Sequence, residues 1–143
     1  MRYALAFLTL ATPAAAWDFQ PLPVCTLSFD NGKATVRVTY DPAEAEPYAI
    51  TLDRRDQMWV DAPVFALWFD GPAQAMIRTD RHKLSNNDAR LTVTDKGFDN
   101  VLGGMALNHV VTAMLGDQII VLPLIGAAAE VERFLACRAN PAL

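Results

Sequence analysis

Apolar and polar residues alternate with a period of two through "VCTLSFDNGKATVRVTY", residues 24–40. The alternation breaks at Asn31-Gly32, the pair preferred in a two-residue type I′ turn because both positions need positive φ. A hairpin of that register sets Asp30 opposite Lys33, Phe29 opposite Ala34, Leu27 opposite Val36 and Cys25 opposite Val38. The apolar pairs then share one face, and Thr26, Ser28, Thr35 and Arg37 take the other. After the polar, proline-bounded loop "DPAEAEP", the segment "YAITLD" sends Tyr48, Ile50 and Leu52 inward.

The next apolar run, "VFALWFD" over residues 64–70, does not alternate, so it predicts a strand covered on both faces with Trp68 in the core. Asp70-Gly71-Pro72 turns it into "AQAMIRT", and "ARLTVTD" supplies another strand, which makes six before residue 96. Beyond that point the period changes. Phe98, Val101, Leu102 and Met105 recur at helical spacing and predict a short helix, weakened by Gly103-Gly104. "LNHVVTAML", a turn at Gly116-Asp117 and "QIIVLPL" predict a second hairpin. "GAAAEVERFLACR" then predicts a helix with Val131, Phe134, Leu135 and Ala127 or Ala128 on its apolar stripe. The fold class is therefore mainly β (α+β): an antiparallel sandwich or partly open barrel of about eight short strands, with one short helix and a C-terminal helix.

The first residues follow a different logic. "MRYALAFLTLATPAAAWDF" has one charge, Arg2, before an apolar run from Tyr3 to Leu10, and Ala14-Ala15-Ala16 forms a small-residue cleavage site. This is the pattern of a secretory signal peptide over residues 1–16, which leaves residues 17–143 as a single exported domain, periplasmic or secreted. No later segment is long and apolar enough to span a bilayer, since "IIVLPLIGAAA" is short and contains Pro123 and Gly126. The formal charge of −4 becomes more negative by one once Arg2 leaves with the leader. An acidic domain with no basic stripe is poorly suited to a phosphate backbone, so nucleic acid is not an expected partner.

Cys25 and Cys137 are the only cysteines. In an oxidising compartment they read as one disulfide joining the two ends of the domain, with two buried free thiols as the alternative.

Chemistry has little material here. "TDRHKLSNND", residues 79–88, gathers Asp80, Arg81, His82 and Ser85, and Asp80, His82 and Ser85 have the composition of a nucleophilic triad. A triad works by convergence, which residues so close along a hairpin rarely achieve, and the plainer reading is a strand end and turn that bond local backbone. His109 and His82 with two oxidised cysteines give no zinc ligand set of the usual kind. Asp53, Asp56, Asp61 and Asp70 fall at strand ends and connectors, where solvated aspartates are ordinary. Neither phosphate-binding glycine loops nor G-x-S-x-G nor H-E-x-x-H occurs. The sequence thus assigns no catalytic residue, no metal and no cofactor.

Trp59 follows the charged connector "RRDQM". It either lids one end of the core or, beside Arg54 and Arg55, anchors a partner. Arg54, Arg55 and Trp59, together with Asp80, Arg81 and His82, are the candidate contact surface.

In its last third the chain runs "FDNVLGGMA", "LNHVVTAML", "GD", "QIIVLPL" and "GAAAEVERFLAC". This order of helix, strand, turn, strand and helix resembles the closing segment of the invasion-associated locus B family, small exported β-rich proteins of Gram-negative bacteria. The resemblance implies export and a β-rich fold, and no catalytic residues. The stretch "VFALWFDGP" with "IRTDRHKLSNNDARLTVTDKGFDNVL" is also similar to short exported proteins that carry the DNA-repair name excinuclease ABC. An exported acidic chain without a G-x-x-x-x-G-K-[ST] loop is not an ATPase of the kind that name implies.

Three functional readings follow. The first is a noncatalytic periplasmic protein that binds a protein or envelope component. The second is an inhibitor of a secreted hydrolase such as a lysozyme, and the third a small hydrolase using Asp80, His82 and Ser85. An inhibitor needs a loop that enters an enzyme cleft, and a hydrolase needs three side chains converging in a pocket.

Overall fold

A computed structural model describes residues 16–141. The leader and most of its cleavage site lie outside the described residues. Ten strands form two antiparallel sheets, joined by two helices. One sheet takes the order β1-β2-β3-β4-β8-β7, built from Asp18–Gln20, Cys25–Asp30, Ala34–Tyr40, Tyr48–Arg54, Arg90–Asp95 and Lys83–Ser85. The other takes the order β10-β9-β5-β6, built from Gln118–Pro123, Val110–Leu115, Phe65–Asp70 and Ala75–Thr79. Helix α1 spans Asp99–Leu107 and α2 spans Ala127–Ala139. No helix among the described residues is long and apolar enough to cross a membrane.

The predicted class holds, with two strands added. Both additions, β1 and β7, are only three residues long, too short to show an alternating pattern.

The first hairpin keeps its predicted faces but shifts its register by two residues. Leu27 pairs with Val38, Phe29 with Val36 and Cys25 with Tyr40. Only Gly32 of the turn pair has positive φ, at 88°, whereas a type I′ turn needs it at Asn31 as well. Side-chain bonding decides the matter. Asn31 Oδ1 accepts from the N–H groups of Lys33 and Ala34 at 2.9 and 2.8 Å, and Asp30 Oδ1 accepts from Gly32 N–H at 2.7 Å. These Asx bonds stabilise a four-residue loop, Asn31 to Ala34, closed by Asn31 N–H to Ala34 C=O at 3.1 Å. A shift of two preserves the side-chain period, so Leu27, Phe29, Val36 and Val38 stay buried.

The core lies between the sheets. Leu27, Val38, Leu52 and Leu91 enter it from one side, and Phe69, Ala113, Leu115 and Leu122 from the other. The second hairpin has the predicted two-residue turn, with Gln118 opposite Leu115 and Gly116 at φ 57°. The disulfide is present: Cys25 of β2 and Cys137 of α2 are bridged across 112 residues, so α2 is tied to the first sheet. Val131, Phe134 and Ala127 form its buried stripe.

The two tryptophans exchange their expected places. Trp68 is only half-buried, because β5 sends Phe65, Leu67 and Phe69 into the core and Trp68 to the opposite face. Trp59 is 2% exposed and closes one end of the core.

Candidate functional site

The connector from Arg54 to Pro63 is held inward rather than displayed. Trp59 N–H donates to Asp88 C=O at 2.7 Å, and its indole Nε1–H donates to Leu52 C=O at 3.3 Å. Arg54 is buried, donates to both carboxylate oxygens of Asp56 at 3.0 Å, and sets its guanidinium carbon 5.0 Å from the Trp59 ring centroid. Arg55 is more open, but its guanidinium is taken by Asp30 and by Thr35 Oγ1. The expected contact surface of Arg54, Arg55 and Trp59 is therefore corrected for its first and last members: they are a clamp on the core. A tryptophan needs a large apolar surface under it, and here the open end of the sandwich provides it.

The segment from Asp80 to Ser85 is not a triad. The His82 ring, 6% exposed, bonds through Nε2 to Asp61 at 3.0 Å and lies 6.5 Å from the Phe65 ring, while Nδ1 is buried with no partner among the described residues. Asp61 is the carboxylate that reaches it; Asp80 does not. The hydrogen bond from His82 holds the Asp61 carboxyl below its usual range. Ser85 lies three residues along an extended chain, which separates the two Cα atoms by about 10 Å. The turn that follows uses Asn86, Asn87 and Asp88, all with φ between 54° and 63°. These are the residue types that tolerate the left-handed region best, in keeping with the turn reading.

What the fold does assemble is a cleft of about 530 Å³ between the sheets, along the side where β6 faces β8. Its floor is apolar: Ile50, Leu67, Val93, Phe98 and Val101 are buried residues contributed by β4, β5, β8 and the start of α1. Its rim is polar, with Arg78, Asp80, Arg81, Asp95 and Asn100. Arg81 is fixed there by Glu46 at 3.1 Å and Asp95 at 2.9 Å, and Glu46 is itself held by Thr94 Oγ1–H at 3.0 Å. Arg78 has no carboxylate partner among the described residues; its Nε–H meets Met76 sulfur at 3.0 Å.

Of the residues singled out by sequence, Asp80 and Arg81 reach this rim, and His82 sits behind it on Phe65. Arg78, Asp95 and the apolar floor escaped sequence reading. An arginine interrupting the apolar run "AMIRT" was the available sign of Arg78, while the floor comes from four separate elements and has no local signature. His109 is exposed at the start of β9, away from His82, and no group of three His, Cys, Asp or Glu side chains among the described residues is arranged to hold a metal ion.

Compared with protein-family models, curated proteins and solved structures, the chain matches none of them.

Proposed function

We propose that the protein is an exported, noncatalytic binding protein that holds an amphipathic envelope component in the cleft between β6 and β8. The observation that carries this reading is the cleft itself: an apolar floor, a charged rim, and a volume of about 530 Å³. That volume falls within the range of about 300–1,000 Å³ typical of small-molecule sites, which combine apolar walls with a few polar groups. An acyl chain would lie against Ile50, Leu67, Val93 and Phe98. The polar head would meet Arg78, whose guanidinium lacks a carboxylate, and the neighbouring Asp80.

A hydrolase reading has less support, because its base is engaged by Asp61 and its serine lies along the strand from it. The signal-peptide pattern places such a binding protein in the periplasm or outside the cell. The resemblance to the invasion-associated locus B family belongs to this proposal, since α1, β9, β10 and α2 follow in the order on which it rests.

The test is a titration of the isotope-labelled protein with dodecyl phosphate, dodecylphosphocholine and dodecyl trimethylammonium, each below its micelle concentration. Methyl shifts at Ile50, Leu67 and Val93 are expected with the first two, and at least tenfold weaker binding to Ile77→Glu. Ile77 lies on the edge strand β6, where a charge can be placed at the cleft without burying it in the core. Absence of binding to all three amphiphiles, or equal binding to Ile77→Glu, would overturn the reading.

A further inference from the structure

The second sheet has two edges, and they are differently protected. β6 borders the cleft and carries the exposed Arg78, while β10 is six residues long and uncharged. On the first sheet both edges, β1 and β7, are only three residues long. Long uncharged edges are normally shortened, charged or covered, because their unpaired backbone groups accept another strand.

The tight turn makes Leu115 and Gln118 a hydrogen-bonded pair, so Gln118, Ile120 and Leu122 direct their backbone groups to β9. The N–H and C=O groups of Ile119 and Val121 therefore point away from the sheet. Pro123 shares that outward direction, and its C=O accepts from Trp17 Nε1–H at 2.8 Å. No described residue takes the outward groups of Ile119 and Val121, and their side chains are 56% and 53% exposed.

This edge borders a groove of about 260 Å³ whose facing wall holds Asn31, Lys33, Arg54 and Asp56. Asn31 is spent on its own turn, and Arg54 and Asp56 neutralise each other. Lys33 has no carboxylate partner among the described residues, so the groove carries one uncompensated positive charge.

We infer that the groove binds an extended, acidic peptide segment of a partner protein, added to β10 as a fifth strand. Backbone bonds to Ile119 and Val121 supply the affinity, alternate apolar side chains of the peptide cover these two residues, and a carboxylate reaches Lys33. A second copy of β10 would bring no charged residue of its own to Lys33, which favours a different chain as the occupant. The surface is separate from the cleft, since β10 and β6 are opposite edges of the same sheet.

The experiment titrates the intact, isotope-labelled protein with a nonapeptide alternating valine and glutamate, and with its valine and lysine counterpart. Slowed amide exchange at Ile119 and Val121 is expected with the glutamate peptide, which should bind at least tenfold more tightly than the lysine one. Lys33→Glu, an exposed change on a turn, should reverse that preference while leaving the melting temperature unchanged. Val121→Pro removes one outward N–H at a position where an edge tolerates proline, and should abolish binding. Equal affinity for the two peptides, or perturbation at the cleft instead of β10, would overturn the inference. So would protection of Ile119 and Val121 that rises with protein concentration in the absence of peptide, which would assign the edge to a second copy.

Discussion

Arg54 lies over the indole of Trp59, 5.0 Å from guanidinium carbon to ring centroid, and Asp56 holds it there through two hydrogen bonds of 3.0 Å. The pair lids the core, with cation–π attraction and stem packing added to burial of the ring. Trp59→Ala should therefore destabilise the fold by about 3–5 kcal/mol, the range for a large aromatic removed from a core. Arg54→Ala should cost about 1–3 kcal/mol, as the Asp56 carboxylate loses its partner and the indole its cover. Urea unfolding checks both. A Trp59→Ala variant as stable as wild type would mean that the indole belongs to a contact surface after all.

Gly103 and Gly104 look alike in sequence and differ in the fold. A Cβ on Gly103 meets nothing within 4 Å, whereas one on Gly104 comes within 2.8 Å of the Phe69 ring. Gly103→Ala should stabilise α1 by about 0.4–1 kcal/mol through a less flexible unfolded chain and better helix propensity. Gly104→Ala should destabilise by about 1–3 kcal/mol, because the helix must move off β5. Thermal melts of the two single variants should shift in opposite directions.

The glycine pair illustrates which parts of the molecule were legible in the sequence. Both helices, both hairpins and the inward faces of Leu27, Val36, Ile50 and Leu52 follow from local periodicity, which encodes which side of an element is buried. Periodicity does not encode register beyond its parity, so the shift that Asn31 and Asp30 impose on the first hairpin was invisible to it. Nor does it say which face of β5 meets the core, and Trp68 and Trp59 changed places for that reason. The site was the least legible part. Asp80 and Arg81 were singled out, but their neighbours in the cleft come from β4, β5, β8 and α1, a juxtaposition that only the tertiary fold creates.

Cys25 and Cys137 close a loop of 112 residues between β2 and α2. In the chain-entropy account, a loop of that size raises stability by about 4–5 kcal/mol through the unfolded state. The double variant Cys25→Ala/Cys137→Ala should lose about that much, and a reductant should lower the urea midpoint of the wild type to a similar extent. A midpoint unmoved by reduction would place the stability of the domain in its core alone.

Asp53 on β4 accepts from Arg90 Nε–H at 2.6 Å and Nη2–H at 3.0 Å, and from Arg37 Nη1–H at 3.2 Å. The hydrogen bond from Arg90 does most to hold its carboxyl below the usual 3.8, with the charges of Arg90 and then Arg37 adding to it. Asp56 is lowered by its bond from Arg54, and Asp30 by Gly32 N–H and then by Arg55. A carboxyl depressed in the folded state binds its proton first in the unfolded chain. Its stabilisation is therefore complete above about pH 5 and is lost as pH falls through 3.8 toward the folded value. Urea midpoints should be flat from neutral pH to about pH 5 and fall below it. Asp53→Asn should cost about 1 kcal/mol at pH 7 and show a shallower acid slope than wild type. An identical slope in the two proteins would mean that Arg90 and Arg37 contribute no net stabilisation through Asp53.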